Sequence, residues 1–237
     1  MEAVGDDIQA GRGRWNFDGT VASTFDSHVV RSVPQYREVH QLAVDLSDFF
    51  VKKNSLVYDL GCSTGTLTRL LAEHNRDKSP RIVGIDLVPE MLSTAIAKKS
   101  RAEAYITYRC EDLIAAELDA SDYVVMFYTL QFTPPSVRQS VVDRIFKSLN
   151  WGGAFLLVEK VRGPDARFQD IATALYEEFK LRNGFEPAES AAKTRSLRGV
   201  LEPFSSDGNR DLLRRAGFVD VMTVAKYICF EAFLAIK

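Results

Sequence analysis

Apolar residues recur at helical spacing between Tyr36 and about Lys53, at Val39, Leu42, Ala43, Leu46, Phe49 and Phe50. That period predicts an amphipathic helix after the turn Ser32-Val33-Pro34. The next run, Leu56 to Leu60, is short and apolar, stops at Gly61, and gives way to Leu67, Leu70 and Leu71 at helical spacing. Strand, glycine turn and helix follow as one unit. The alternation repeats with strands at 81–86, 104–110, 123–128 and 154–160, and helices at 89–99 and 135–149. Strands apolar on both faces and separated by helices predict an α/β, doubly wound, mostly parallel sheet covered on both sides.

After Lys160 the rhythm changes. Asp165 to about Arg182 reads as one amphipathic helix, and Phe185 to Phe204 as a helical hairpin or long insertion, so 161–206 is the predicted lid. A helix at 207–215 ends at Gly217, and strands at 218–225 and 227–236 are close enough to form a terminal hairpin. Residues 1–13 carry charge and glycine without periodicity and read as a flexible lead-in. The remainder, 14–237, reads as a single domain whose segment 14–54 is a helical cover.

Composition narrows the function classes. The 237 residues are 46% hydrophobic and 26% charged, enough for a real core, which excludes disorder, collagen and coiled coil. A formal charge of −2 offers no large electropositive surface, so no direct nucleic acid partner is expected. Cys62, Cys110 and Cys229 are scattered, and His28, His40 and His74 lie far apart, so neither a disulfide framework nor a metal site is expected. Polar residues 1–14 lack the apolar stretch of a signal peptide and no segment is apolar enough to span a bilayer. A cytoplasmic protein without a membrane partner is the expectation.

The densest chemistry lies in Asp59-Leu60-Gly61-Cys62-Ser63-Thr64-Gly65, a strand entering D-x-G-x-x-x-G before a helix. Glycine lets a ligand approach the backbone, and the helix start offers free N–H groups. The middle glycine of a dinucleotide fingerprint and the Gly-Lys-Ser/Thr of a phosphate loop are both missing. Asp86 ends the second strand at the interval suited to holding two ribose hydroxyls. After the third strand, Glu111-Asp112-Leu113 supplies an acid and an apolar face for an adenine. Singly, Gly61 and Gly65 also serve as turn residues, Asp86 as a helix cap and Asp112 as a solvated acid.

As a set, these features resemble the class I S-adenosylmethionine-dependent methyltransferase family, which implies a Rossmann-like fold with a seven-stranded sheet, a reversed last strand, and S-adenosylmethionine as cofactor. A narrower resemblance runs from Trp15 onward through Phe17-Asp18, Arg31-Ser32-Val33-Pro34-Gln35-Tyr36, Thr129-Leu130-Gln131-Phe132, Leu149-Asn150-Trp151-Gly152-Gly153 and Arg182-Asn183-Gly184. These look like the carboxy-S-adenosylmethionine synthase family, which uses prephenate and whose product serves tRNA wobble-uridine modification. The resemblance implies cofactor contacts at Tyr36, Gly61, Cys62, Ser63, Asp86, Leu87, Asp112 and Leu113, with Asp59 and Gly65 in the same motif. It further implies that Arg195 pairs with the extra carboxylate, and it suggests a homodimer.

Two departures bear on the second reactant. Phe127 stands where the family pattern has asparagine, and Tyr176-Glu177 replaces paired histidines. The resulting set is a ring face (Phe127, Tyr128), a general base (Glu177 or Glu178) and an anion clamp (Arg195, with Arg198 or Lys193). Read physically, that predicts methyl transfer to a small anionic metabolite, an isoprenyl diphosphate alkene being one conceivable acceptor. The alternatives are the carboxy-S-adenosylmethionine synthase and a non-catalytic module that keeps the cofactor pocket. Core packing for Phe127 and a solvated helix face for Glu177 and Glu178 are equally open.

Overall fold

The computed structural model describes residues 1–6, 8–17 and 19–237; Asp18 of the Phe17-Asp18 motif lies outside the described residues. The chain opens with a small antiparallel pair, β1 (Glu2–Ala3) and β2 (Gln9–Ala10), followed by helices α1 (Thr20–Ser32) and α2 (Tyr36–Phe50). Then come β3 (Leu56–Leu60), α3 (Thr66–His74), β4 (Arg81–Asp86), α4 (Pro89–Ala97), β5 (Ile106–Cys110), β6 (Ser121–Phe127), α5 (Arg138–Ser148) and β7 (Leu149–Lys160). Two further helices, α6 (Ala166–Arg182) and α7 (Pro187–Ser196), precede α8 (Ser206–Ala216) and the hairpin of β8 (Asp220–Tyr227) and β9 (Phe230–Ile236).

The main sheet has seven strands in the order β5-β4-β3-β6-β7-β9-β8. Strands β3 to β7 pair in parallel, and β9 runs antiparallel to both neighbours. The chain therefore steps outward from β3 through β4 to β5, then restarts on the other side of β3 with β6. That reversal opens a crevice beyond the carboxyl ends of β3 and β6, where open α/β sheets bind ligands.

All five residues of β3 are buried, as expected of a central strand covered on both faces. Tyr58 and Leu60 pack with Val124 and Met126 against α5 and α8, through Val141, Ile145 and Leu213. Val57 and Val125 face the other way, against Ala43 of α2 and Leu71 of α3. Truncating fully buried Leu71 to alanine removes contacts worth about 2–5 kcal/mol. Period-two alternation thus puts Asp59 and Phe127 on the same face as α2.

Helix ends carry their own signals. Asp165 accepts the Phe168 N–H at 3.1 Å to start α6, and Ser205 accepts that of Gly208 at 3.1 Å to start α8. Gly217 closes α8 at φ 119°, where a β-carbon would sit 2.7 Å from the Phe146 ring.

Two segments differ from their sequence reading. Residues 1–13 are not a free lead-in: Val4, Ile8 and Ala10 are buried with Trp15, Met91 and Ala192 in a third apolar cluster. Their apolar positions are too few to show a period, and the partner surface is supplied by α1, α4 and α7. The stretch 185–204 holds one helix, α7, rather than a helical hairpin. No helix is long and apolar enough to cross a membrane among the described residues.

Candidate functional site

A cavity of about 810 Å³ lies at the reversal point, bounded by the ends of β3, β4 and β6 and covered by α1, α2, α6 and α7. Its floor is the glycine turn. Gly61 and Cys62 both donate to the Ile85 carbonyl, at 2.7 and 3.1 Å, and Gly65 donates to the Cys62 carbonyl at 2.9 Å. Gly61 has φ 76°, and a β-carbon there would meet Thr129 Cγ2 at 2.5 Å, with Oγ1 closer still. Only glycine lets the β3 and β6 loops close on each other here.

Asp86 receives the Ser63 N–H at 2.8 Å on Oδ2 and the Val88 N–H at 2.9 Å on Oδ1. Each oxygen keeps acceptor capacity toward the cavity. Burial raises its carboxyl above the ordinary range against the pull of those N–H groups. Asp59, beneath the turn, accepts from Thr68 Oγ1 at 2.6 Å, and burial pushes its carboxyl up to about 7. Burial, with the charges of Asp59 and Asp86, also raises the Cys62 thiol, so this cysteine is no nucleophile at neutral pH. On the rim, Asp112 accepts the Ile114 N–H at 2.8 Å, while Leu87 exposes 61% of its surface beside it.

An aromatic wall rises opposite. Tyr36 stacks on Tyr128 with ring centroids 6.2 Å apart and packs tilted against His40 at 4.1 Å, and His40 meets Phe127 at 5.2 Å. Burial depresses His40 to about 4, leaving a neutral imidazole. Tyr128 sits at φ 55°, its N–H donates to Val158 at 2.6 Å, and its hydroxyl is buried without a partner. The loop behind it hangs on one side chain: Glu159 accepts the N–H groups of Thr129, Leu130 and Gln131 at 3.1, 2.9 and 2.9 Å. Tyr176 of α6 donates to the Ser32 carbonyl at 2.9 Å and packs its ring on Phe230 at 5.3 Å.

Lysines complete the wall. Lys160 Nζ lies 4.2 Å and Lys180 Nζ 5.0 Å from the Tyr176 ring centroid. Lys193 donates to Ser32 Oγ at 2.6 Å and contacts His28 Nε2, while His28 Nδ1 is 2.6 Å from Asp6. Burial lowers all three ammonium groups, Lys180 to about 8.

Of the residues expected from sequence, Tyr36, Asp59, Gly61, Cys62, Ser63, Asp86, Leu87, Asp112, Leu113, Phe127, Tyr128 and Arg198 all line the cavity. Gly65 does not. It serves packing, since a β-carbon there would stand 3.0 Å from Ala95 Cβ. Glu177 and Glu178 are corrected outright as candidate bases: both are exposed outside the cavity, and Glu178 pairs with Arg182 at 3.8 Å. On α6 the cavity-lining Tyr176 and Lys180 are four apart, whereas Glu177 turns toward α7, where it accepts from Ser190 Oγ at 3.4 Å, and Glu178 is exposed. Arg195 is corrected as the clamp, because it is bound to Glu2 at 2.6 Å, outside the cavity.

Sequence reasoning passed over Lys160, Lys180 and Glu159, and noted Tyr176 only as a departure from the family pattern. The available signals were the carboxyl-end position of Glu159-Lys160 on its strand and the i, i+4 spacing of Tyr176 and Lys180.

A backbone turn open to close approach, an acid with free lone pairs at the second strand end, an acid beside an apolar rim and a cation-tolerant aromatic wall suit an adenosine-bearing sulfonium. Residues 57–153 match the family model described as a methyltransferase domain. The chain is 34% identical over 224 residues to a carboxy-S-adenosyl-L-methionine synthase of Campylobacter lari, covering 94% of this chain and 95% of that protein. It is 36% identical over 232 residues to one from Campylobacter jejuni, covering 97% of each. Among solved structures, human N-acetylserotonin methyltransferase in complex with S-adenosylmethionine superposes with a TM-score of 0.62 at 19% identity, over 94% of this chain and 60% of that one.

Proposed function

The chain belongs to the carboxy-S-adenosyl-L-methionine synthase family, a branch of the class I methyltransferase fold, and from that premise we propose that it joins a carboxyl group from a small anionic donor to S-adenosylmethionine. It is a SAM-dependent transferase, and prephenate is the donor implied by the family resemblance. When bound, S-adenosylmethionine would supply a methyl carbon acidified by its sulfonium, which would give up a proton and bond the carboxyl carbon released from prephenate, while the donor's ring hydroxyl would leave with that proton as water and the remainder as phenylpyruvate.

The residues divide the work. The Gly61 turn presents backbone, Asp86 accepts the ribose hydroxyls, and Asp112 with Leu87 and Leu113 holds the adenine edge and face. The rings of Tyr36 and Tyr128, which line the cavity, would shield the sulfonium, each good face contributing roughly 0.5–2 kcal/mol. The buried, unpartnered Tyr128 hydroxyl is free to donate to the second reactant.

One observation carries this reading beyond family membership: a single cavity of about 810 Å³ joins the glycine turn to a wall of lysines and aromatic rings. That volume lies high in the range of about 300–1,000 Å³ for ligand pockets, which suits two small reactants side by side. Methyl transfer to a small anionic acceptor is a second reading, supported by the Phe127 ring where the family pattern has asparagine. Methylating an isoprenyl diphosphate alkene calls for a carboxylate base, and Glu177 and Glu178 point away from the cavity. The synthase relatives therefore weigh more. A cytoplasmic setting and a homodimer belong to the same proposal; the three cysteines are free thiols, as a reducing compartment keeps them.

The test is mass spectrometry of the small molecules released after incubation with S-adenosylmethionine and prephenate. A cofactor heavier by one carboxyl group is the expected product. No carboxylated cofactor with prephenate, together with S-adenosylhomocysteine formed when a small anionic acceptor is supplied, overturns the proposal.

A further inference from the structure

Lys160, Lys180 and Lys193 come from three different elements, β7, α6 and α7, and all line the same cavity. Lys180 and Lys193 are 4% and 7% exposed. Among the described residues, no ion pair reaches any of the three. The carboxylates nearest in effect are Glu177, which lies outside the cavity lining and is engaged by Ser190 Oγ at 3.4 Å, and Asp6, which stands behind His28. The three ammonium groups also repel one another: Lys160 and Lys180 both depress Lys193.

Buried charge without a partner is costly, and protein interiors normally pair it. The surroundings tolerate the charge but do not cancel it. The Tyr176 ring lies under Lys160 and Lys180, and Trp15 and Phe185 rings lie 5.4 Å from Lys193. Such a cluster adds no ion pair to the fold, and an anionic ligand in the cavity would balance it.

We propose that Lys160, Lys180 and Lys193 form the receptor for a small dicarboxylate, which enters the cavity beside the S-adenosylmethionine site and neutralises them. This rests on the reading of an anionic second reactant and assigns the residues that select it. A dicarboxylate fits better than a phosphate monoester because the charges are spread over three elements, matching separated monoanionic ends. Arg195 has no part in the receptor, being engaged by Glu2.

The experiment is calorimetric titration of protein saturated with S-adenosylhomocysteine, using prephenate, a dicarboxylate, and phenylpyruvate, the monocarboxylate of matching ring skeleton. Wild type binds prephenate at least tenfold more tightly. Lys160→Met and Lys180→Met each weaken prephenate at least tenfold and shrink that preference, whereas Lys180→Arg retains part of it. Affinity for S-adenosylhomocysteine stays within about twofold, and the melting temperature of the ligand-free variants does not fall, since a repelling charge has gone. A structural lysine gives the opposite pattern, a lower melting temperature with unchanged prephenate affinity, and that result overturns the proposal. So does equal binding of the two acids by wild type. If prephenate binds through the lysines but is not converted, the receptor stands and the carboxyl-transfer reading falls. If both methionine variants bind and convert prephenate as wild type does, the receptor falls and carboxyl transfer stands.

Discussion

Gly61→Ala probes the seam on which the cofactor site is built. The added β-carbon meets Thr129 Cγ2 at 2.5 Å and Cβ at 2.8 Å, and the backbone must hold φ 76° with a side chain. The left-handed conformation costs about 1–2 kcal/mol and the overlap a further 1–3 kcal/mol. The sum, about 2–5 kcal/mol, lowers the melting temperature by about 4–20 °C for a chain of this size. Thr129→Ala removes the two closest atoms of that overlap and, with them, the Thr129 hydroxyl bond to the Phe127 carbonyl at 2.9 Å. The double variant therefore recovers most of the steric cost but none of the backbone cost. Urea unfolding of the four proteins gives a coupling energy of about 1 kcal/mol or more, with the double variant more stable than additivity allows. Additivity within about 0.5 kcal/mol refutes the idea that the two loops meet at this glycine. In the same proteins, S-adenosylhomocysteine raises the melting temperature of wild type and of Thr129→Ala but not of Gly61→Ala.

Other outcomes follow from single contacts. Asp86→Ala leaves the Ser63 and Val88 N–H groups without their acceptor and removes the ribose partner, so cofactor affinity measured by calorimetry drops about 10- to 100-fold. Glu159→Ala strands three N–H groups of the Thr129–Gln131 loop; stability falls by about 2–5 kcal/mol in urea unfolding. Arg195→Ala and Glu177→Gln leave prephenate KM and kcat close to wild type, because neither residue reaches the cavity. His40 has a folded pKa depressed to about 4 from an unfolded value near 6.5. Its contribution is present above about pH 6.5 and is lost as pH falls through 4, about 3 kcal/mol in all, so His40→Leu flattens the acid limb of a stability profile.

The parts of the site legible from sequence are those coded locally. A strand running into Gly61 and a helix start at Thr66 need only neighbours in the chain, and Asp86 is placed by its position at a strand end. The orientation of α6 is not coded that way. Tyr176, Glu177 and Glu178 are consecutive, and which one faces the ligand depends on a rotation of about 100° per residue, fixed by the packing of Tyr176 on Ser32 and Phe230. Catalytic habit favours the carboxylates, whereas packing selected the ring and Lys180. Arg195 went astray similarly: its partner, Glu2, belongs to a segment whose four or five apolar residues show no period. Lys193, a clamp candidate in sequence, does line the cavity, whereas Lys160 looks like a solvated charge in sequence, because its place in the cavity wall depends on surfaces that meet only in the folded chain.

The contact between Glu2 and Arg195 spans 193 positions, and that between His28 and Lys193 spans 165. Loop-closure entropy delays such pairings until the intervening sheet has condensed. The His28–Lys193 contact of the lysine wall is thus among the late encounters of folding. During refolding, tertiary fluorescence of the sheet core should return before anion binding does, leaving a transient species with a built core and an open site.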